Sequence, residues 1–168
     1  MDPAIITPFI SSVQNVFSTM LQLPVTVGTP SIKQNPGTTH DISGIIGMSG
    51  DVVGCVVLSF QRQTAVRMVA LFTGTELAAD NPDFSDAIGE LTNMISGNAK
   101  GMFSGKKKVN ISCPSVIVGD GHQVARPRDV PCIVIPCSTD CGAFVLEIAI
   151  AERPAPAAAA PAEAVASA

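Results

Sequence analysis

The chain has 168 residues, 46% hydrophobic and only 14% charged, which by size is one domain with enough apolar mass for a core and no room for a second catalytic domain. A net charge of −4 with neither Trp nor Tyr argues against a nucleic-acid binder or an anionic-membrane binder, because cationic surface and stacking rings are both missing. There is no unbroken run of roughly eighteen apolar residues and no basic stretch leading into an apolar one at the N-terminus, so a cytoplasmic protein is expected. Its five cysteines (Cys55, Cys113, Cys132, Cys137 and Cys141), scattered through strand-like segments, suit a reducing compartment.

Phe9, Ile10, Val13, Val16, Phe17, Met20 and Leu21 recur at helical spacing, predicting a helix from Thr7 to Leu21 with Thr7 as cap and Pro8 in the first turn. Val25 to Val27 reads as a short strand before a Gly/Pro/Asn-rich connection from Gly28 to Gly37. Asp41–Met48 and Val52–Phe60 are β-rich and separated by Ser49-Gly50-Asp51, the pattern of a hairpin of two largely buried strands. Gly44, Gly47 and Gly54 within it mark bulges or the close approach of a packed helix. Gln63 to Phe72 is a second helix, with Ala65, Met68, Val69 and Phe72 inward and Gly74 as terminator.

Asp80-Asn-Pro-Asp83 is a turn, after which Asp83 and Ser85 are candidate caps for a long third helix. At about 100° per residue, Phe84, Ala87, Ile88, Leu91, Met94, Ile95 and Met102 share one arc, and Asp86, Glu90, Asn93 and Gly97 share another. Glu90 and Asn93 stand one turn apart and point the same way, making a flat polar surface on which another macromolecule can dock. Lys100 falls on roughly the same side, near the helix C-terminus where a cation is favoured. Gly89, Gly97 and Gly101 each cost up to about 1 kcal/mol relative to Ala. Gly101 reads as close packing, and Gly97 as either packing or room for a partner. Asn98 returns to the apolar arc and is expected to be buried, its amide bonded to nearby backbone.

Lys106-Lys107-Lys108 is either a solvated turn or a contact for an acidic partner. Beyond it, Val109–Val118, Gln123–Cys137 and Gly142–Ala151 read as three antiparallel strands. The order of elements predicts an α+β domain, residues 1–152, in which long helices cover a largely antiparallel sheet. Residues 153–168, almost only Ala, Pro and Glu, read as a disordered tail.

Several chemistries lack their residues. Cys137-x3-Cys141 has no second pair and His40 and His122 are remote in sequence, so no metal site is expected. Nothing pairs a Cys with a His as a nucleophile would require. Gly97 to Lys106 lacks the spacing of a phosphate-binding loop, and no GxSxG elbow occurs. Glu90 and Asn93 on their own are also what an ordinary solvated helix face carries.

From about Pro8 to Ile150 the chain resembles the CheX family, single-domain relatives of the CheC and FliY chemotaxis phosphatases. The resemblance is carried by Phe9-Ile-Ser-Ser-Val-Gln-Asn-Val-Phe, by Asp41-Ile-Ser-Gly-Ile-Ile-Gly-Met-Ser-Gly-Asp and its partner strand, by Ala87-Ile-Gly-Glu-Leu-Thr-Asn-Met-Ile-Ser-Gly-Asn-Ala-Lys100, and by Ile111-Ser-Cys-Pro-Ser-Val, in family order. It implies a CheC-like fold and an active-site signature of Glu followed three residues later by Asn, which Glu90 and Asn93 match. CheC-type proteins carry two such motifs and this chain one, which implies a homodimer with one site per subunit. The implied reaction is hydrolysis of the aspartyl phosphate on a CheY-type receiver. In it Asn93 positions the water, Glu90 pairs with the receiver's active-site lysine, and Asp86, Gly97 and Lys100 belong to the docking face. Mg²⁺ is expected on the receiver, with no cofactor or metal held by this chain. The competing readings are a non-catalytic dimeric module that binds a receiver or another signalling partner, and a phosphatase of small acyl phosphates.

Overall fold

The computed structural model describes residues 3–34, 40–103, 107–127 and 129–153. The chain runs through α1 (Pro3–Val16), a π-helical turn Phe17–Leu21, and the short strands β1 (Thr26–Val27) and β2 (Ser31–Ile32). It continues through β3 (Ile42–Gly50), β4 (Val52–Phe60), α2 (Arg62–Thr73) and α3 (Pro82–Met102), then β5 (Val109–Ile111), β6 (Ser115–Val118), β7 (Ile133–Thr139) and β8 (Gly142–Glu152). All strands join one antiparallel sheet in the order β1-β7-β8-β4-β3-β5, with β2 also on β7 and β6 also on β3. The expected α+β class with its antiparallel sheet is what forms.

Register explains the core. Ile42↔Phe60, Ile46↔Val56, Phe60↔Phe144, Leu58↔Leu146 and Ile148↔Ile133 are paired positions, so alternate residues of four strands share one face. The helices cover that face. Phe17 stacks on Phe144 with ring centroids 5.0 Å apart, Phe60 also stacks on Phe144 at 5.4 Å, and Phe9 meets Phe103 edge-on at 5.7 Å. Among the described residues Pro3–Leu21 is the one stretch apolar enough in length and composition to cross a bilayer. Here it is a core helix: Phe9, Val13, Val16 and Phe17 are buried, and Ser12 Oγ donates to Ile95 O of α3 at 2.6 Å.

The first helix begins at Pro3 and not at Thr7, so Pro8 lies inside it; Pro3, with φ already helical, serves as the starter that Pro8 was expected to be. Gly74 ends α2 in the left-handed conformation, φ 73°, as expected. The expected strand Val109–Val118 is broken at Pro114 into β5 and β6, and both halves lie along β3.

The expected strand from Gln123 shortens to Ile133–Thr139, because the described residues 119–127 cross over the helix-free face of the sheet instead of extending that strand. His122, Val124 and Arg126 are half-buried while Gln123, Ala125 and Pro127 are exposed, which is strand-like alternation with a single bridge at Gln123 and no continuous ladder. Pro127 and Pro131 remove two donors that a ladder would need. The strap is held by polar contacts. His122 Nδ1–H donates to Gly119 O at 2.7 Å and Nε2 meets Ser43 Oγ at 2.8 Å. Arg126 from the strap and Lys33 from the β2–β3 connection both pair with Glu147 at the centre of β8. The Glu147 side chain is fully buried, and those of Lys33 and Arg126 are 8% and 11% exposed.

Lys107 pairs with Glu152 at the surface and the Lys108 backbone N–H donates to Asp51 Oδ2 at 2.7 Å, so these two lysines sit in a solvated turn; Lys106 lies outside the described residues. The tail beyond Arg153 lies outside them as well.

Two substitutions test this architecture. Glu147→Gln leaves two buried cations against one neutral amide and is expected to lower stability by about 3–5 kcal/mol in urea denaturation. Gly44→Ala places a methyl 2.1 Å from Thr92 Oγ1 and 3.3 Å from Ile88 Cγ2, and is expected to cost about 1–3 kcal/mol by overpacking. The cost should shrink when Thr92→Ala is combined with it, measured as a double-mutant cycle.

Candidate active site

Asn81 starts α3. It is extended, its Oδ1 accepts from Asp83 N–H at 2.9 Å, and Pro82 follows at the first helical position. The cap therefore falls two residues before Asp83, the nearer of the two candidates. Phe84, Ala87, Ile88, Leu91, Thr92, Ile95, Ser96 and Ala99 are buried. The inward face is anchored at Gly44 of β3, where Thr92 lies directly against the strand backbone. The Thr92 hydroxyl donates to Ile88 O at 2.7 Å, so its burial leaves no polar atom unpaired.

With that face fixed, the opposite one carries the residues singled out from sequence. Asp86, Glu90 and Lys100 are exposed, and Asn93 and Gly97 are half-buried at its edge. Among the described residues neither Glu90 nor Asn93 makes a side-chain hydrogen bond or ion pair, so the carboxylate and the amide are free to engage a partner. Lys100 is seven residues beyond Asn93, about 10 Å along the axis; it shares the face and is out of reach of the Asn93 amide.

Three expectations on this helix are corrected. Asn98 is exposed and not buried, and Met102 is 44% exposed at the end of the helix. A Cβ on Gly101 would meet nothing within 4 Å, so packing does not require it; the same is true of Gly97. For Gly97 this removes the packing alternative and leaves bare helix backbone one turn beyond Asn93.

Sequence spacing did not reveal a recess beside Glu90. Ser85, Asp86, Gly89 and Glu90 form one wall, Pro114 and Val116 the other, around a volume of about 450 Å³. It exists because the break between β5 and β6 bends back against α3. A larger groove of about 680 Å³ lies at the opposite edge of the sheet among Ile5, Ile6, Ile32, Ile133 and Ile150. Glu152 is its one ionisable residue, so no set of chemical groups converges there.

Other chemistries find little support. Burial pushes the thiols of Cys55, Cys132 and Cys141 up, and that of Cys137 up to about 11, away from the thiolate a nucleophile needs. Among the described residues no three His, Cys, Asp or Glu side chains are grouped to hold a metal ion.

Residues 42–138, which span β3 to β7 and include Glu90 and Asn93, match the family described as chemotaxis phosphatase CheX. The CheY-P phosphatase CheX of Thermotoga maritima is 31% identical over 121 residues, 71% of this chain and 78% of that protein. The crystal structure of a chemotaxis protein CheX from Desulfovibrio desulfuricans superposes with a TM-score of 0.80 at 34% identity, covering 89% of this chain and 99% of that one. At 23% identity a chain of the CheX-CheY-BeF3-Mg²⁺ complex from Borrelia burgdorferi shares the fold, with a TM-score of 0.72 over 88% of this chain and 97% of that one. A family match over more than half the sequence, together with a curated relative above 30% identity, shows that this chain belongs to the CheX family.

Proposed function

We propose that this protein is a phosphatase that hydrolyses the aspartyl phosphate of a CheY-type response regulator, with residues 1–152 as its catalytic domain. The observation that carries the reading is the outward stripe of α3, where Glu90 and Asn93 stand one turn apart with no partner among the described residues, on a helix whose inward face is locked to the sheet. The activity named for the Thermotoga maritima relative is the same reaction.

The chemistry follows from the two residue types. Phosphoryl transfer passes through a loose transition state with charge spread over the equatorial oxygens, so catalysis is mainly positioning. Asn93 both accepts from and donates to a water and brings no negative charge beside the anion. It is assigned the task of holding that water in line with the phosphorus. A carboxylate in the same place would repel the phosphoryl group. Displaced by one turn, Glu90 instead pairs with a lysine of the receiver and fixes the docking geometry. Asp86, Gly97 and Lys100 complete the docking face. Mg²⁺ belongs to the phosphorylated receiver as substrate, where it offsets phosphoryl charge.

The reading includes a cytoplasmic homodimer with one Glu90–Asn93 pair per subunit. Its support is the outer edge of β5 and β6, a strand edge with no neighbour among the described residues. Light scattering at micromolar concentration distinguishes dimer from monomer.

The principal test is the decay of a phosphorylated CheY-type receiver from the same genome in Mg²⁺, with catalytic amounts of protein. Acceleration by the unmutated chain that falls by about 10²-fold in Asn93→Ala is expected. Undiminished turnover by Asn93→Ala overturns the assignment, and binding without hydrolysis by the unmutated chain identifies a docking module instead. Gly97→Ala separates stability from docking. It is expected to raise the urea midpoint, by about 0.5–1 kcal/mol in stability, while raising KM for the phosphorylated receiver.

A further inference from the structure

We propose that Ser12 of α1 is a positioning residue for the hydrolysis assigned to Asn93: its hydroxyl, bonded to the carbonyl of Ile95, sets the rotation and the height of α3 and so the place of the amide. This rests on the reading of Asn93 as the residue that holds the water. It adds a group that touches neither the water nor the receiver.

Apart from this bond, α3 is held to the rest of the fold by contact alone. The Asn81 cap and the Thr92 hydroxyl bond within the helix and its own start. Among the described residues the bond from Ser12 Oγ to Ile95 O, 2.6 Å, is the one hydrogen bond that joins α3 to another element. Apolar contact is non-directional, whereas a hydrogen bond weakens steeply outside a narrow range of length and angle. The bond falls two residues past Asn93, about 3 Å further along the axis and about 200° round it. It grips the back of the turn whose front carries the amide.

Neither stability nor polar pairing asks for a serine at position 12. It is fully buried in the stripe of Ile5, Phe9, Val13 and Val16, and is the one polar residue among the buried residues of α1. Alanine is the better helix former and would bring no hydroxyl to be satisfied. Nor is Ile95 O an orphan in need of a donor, since within a helix it accepts the N–H four residues on. What the pair supplies is registration between two helices. Ser96, the next residue of α3, gives the contrast: it is equally buried, and its hydroxyl has no hydrogen-bond partner among the described residues.

The leverage is large for a reaction that depends on placement. A side-chain tip about 5–6 Å from the helix axis moves by about 1 Å when the helix turns by about 10°, and a misplacement of that size costs up to about 10²-fold in rate. Thr92 against Gly44 still seats α3 when the Ser12 hydroxyl is removed, so a part of that loss is expected.

The test is the kinetics of the intact protein on a phosphorylated CheY-type receiver in Mg²⁺. Ser12→Ala is expected to lower kcat by about threefold to tenfold. KM, and the Kd for a receiver loaded with beryllofluoride and Mg²⁺, are expected to hold, because Glu90 and Lys100 reach out on flexible stems and the short amide does not readjust. In the Asn93→Ala background the same substitution is expected to cost nothing further, which a general loosening of the core would not give. Ser96→Ala, which removes a buried hydroxyl without removing a bond to α1, is expected to leave kcat as it was. Ser12→Cys fills the site and keeps only a weak S–H donor; it is expected to lower kcat in the same direction with its melting temperature held, and decides the matter if Ser12→Ala does not fold. Turnover that Asn93→Ala abolishes and the Ser12 variants leave whole overturns this inference alone. An equal loss in Ser96→Ala, or a loss that persists undiminished in the Asn93→Ala background, also overturns it. No turnover by the unmutated protein overturns the phosphatase reading as well.

Discussion

The contact on which the rest of the structure depends is the seating of α3 on β3 at Gly44. A helix normally stands off a sheet by the length of two side chains. Here one of them is missing, and Thr92 reaches the strand backbone. Because Thr92 immediately precedes Asn93, this contact fixes which way the amide points: turning the helix by one residue, about 100°, would carry Asn93 away from the face it shares with Glu90. A second contact guards the same rotation from the side, where Ser12 of α1 donates to the carbonyl of Ile95. Two contacts a few residues apart thus hold a 21-residue helix against both rotation and sliding.

The strand beneath is held from behind as well. Ser43, next to Gly44 and on the other side of the sheet, bonds His122 of the strap, so neighbouring residues of β3 are gripped from opposite faces. The strap in turn is tied to the sheet centre through Arg126 and Glu147, and Lys33 ties in the β2–β3 connection at the same carboxylate. Burying that ionic group is costly, and an apolar cluster of similar volume would be as stable or more so. What the charges add is geometry. A single buried carboxylate accepts two cations from two connections and so fixes where each crosses the sheet, which apolar contact alone would leave loose.

How much of this was legible follows from which signals are local. The periodicity of α3 placed Phe84, Ala87, Ile88, Leu91 and Ile95 inward and Asp86 and Glu90 outward, as the structure has them, because a helix writes both faces at fixed spacing. The hairpin of β3 and β4 and the Gly74 terminator were readable for the same reason. The strap was misread because alternation records which side chains point inward, not whether a neighbouring strand lies alongside; His122, Val124 and Arg126 alternate over a sheet face as well as they would at an edge. Asn98 and Met102 were misplaced because helical spacing gives only the direction of a side chain, not what covers it: Ala99 and Phe103 beside them are buried while they are exposed. The recess was invisible because it is made by Pro114 and Val116, which spacing alone could not bring against Asp86 and Glu90.

The site asks little of side-chain chemistry and much of placement. On the proposed mechanism neither residue of the pair needs a charge relay or a metal of its own, since a loose transition state is served by a water in the right line and by electrostatic fit around it. Such a site belongs on a rigid element, because an amide that wanders by an ångström loses most of its effect. That requirement links the fold to the reaction: the glycine at position 44 and the serine at position 12 act on Asn93 without touching it. The stripe itself is polar along its length, with Asp86 and Glu90 toward the helix N-terminus and Lys100 toward the C-terminus. If the proposed docking face is correct, a partner with basic and acidic regions in the matching order would be turned into register before the short-range contacts form, and orientation would reach the amide from the partner's side as well as from the sheet below.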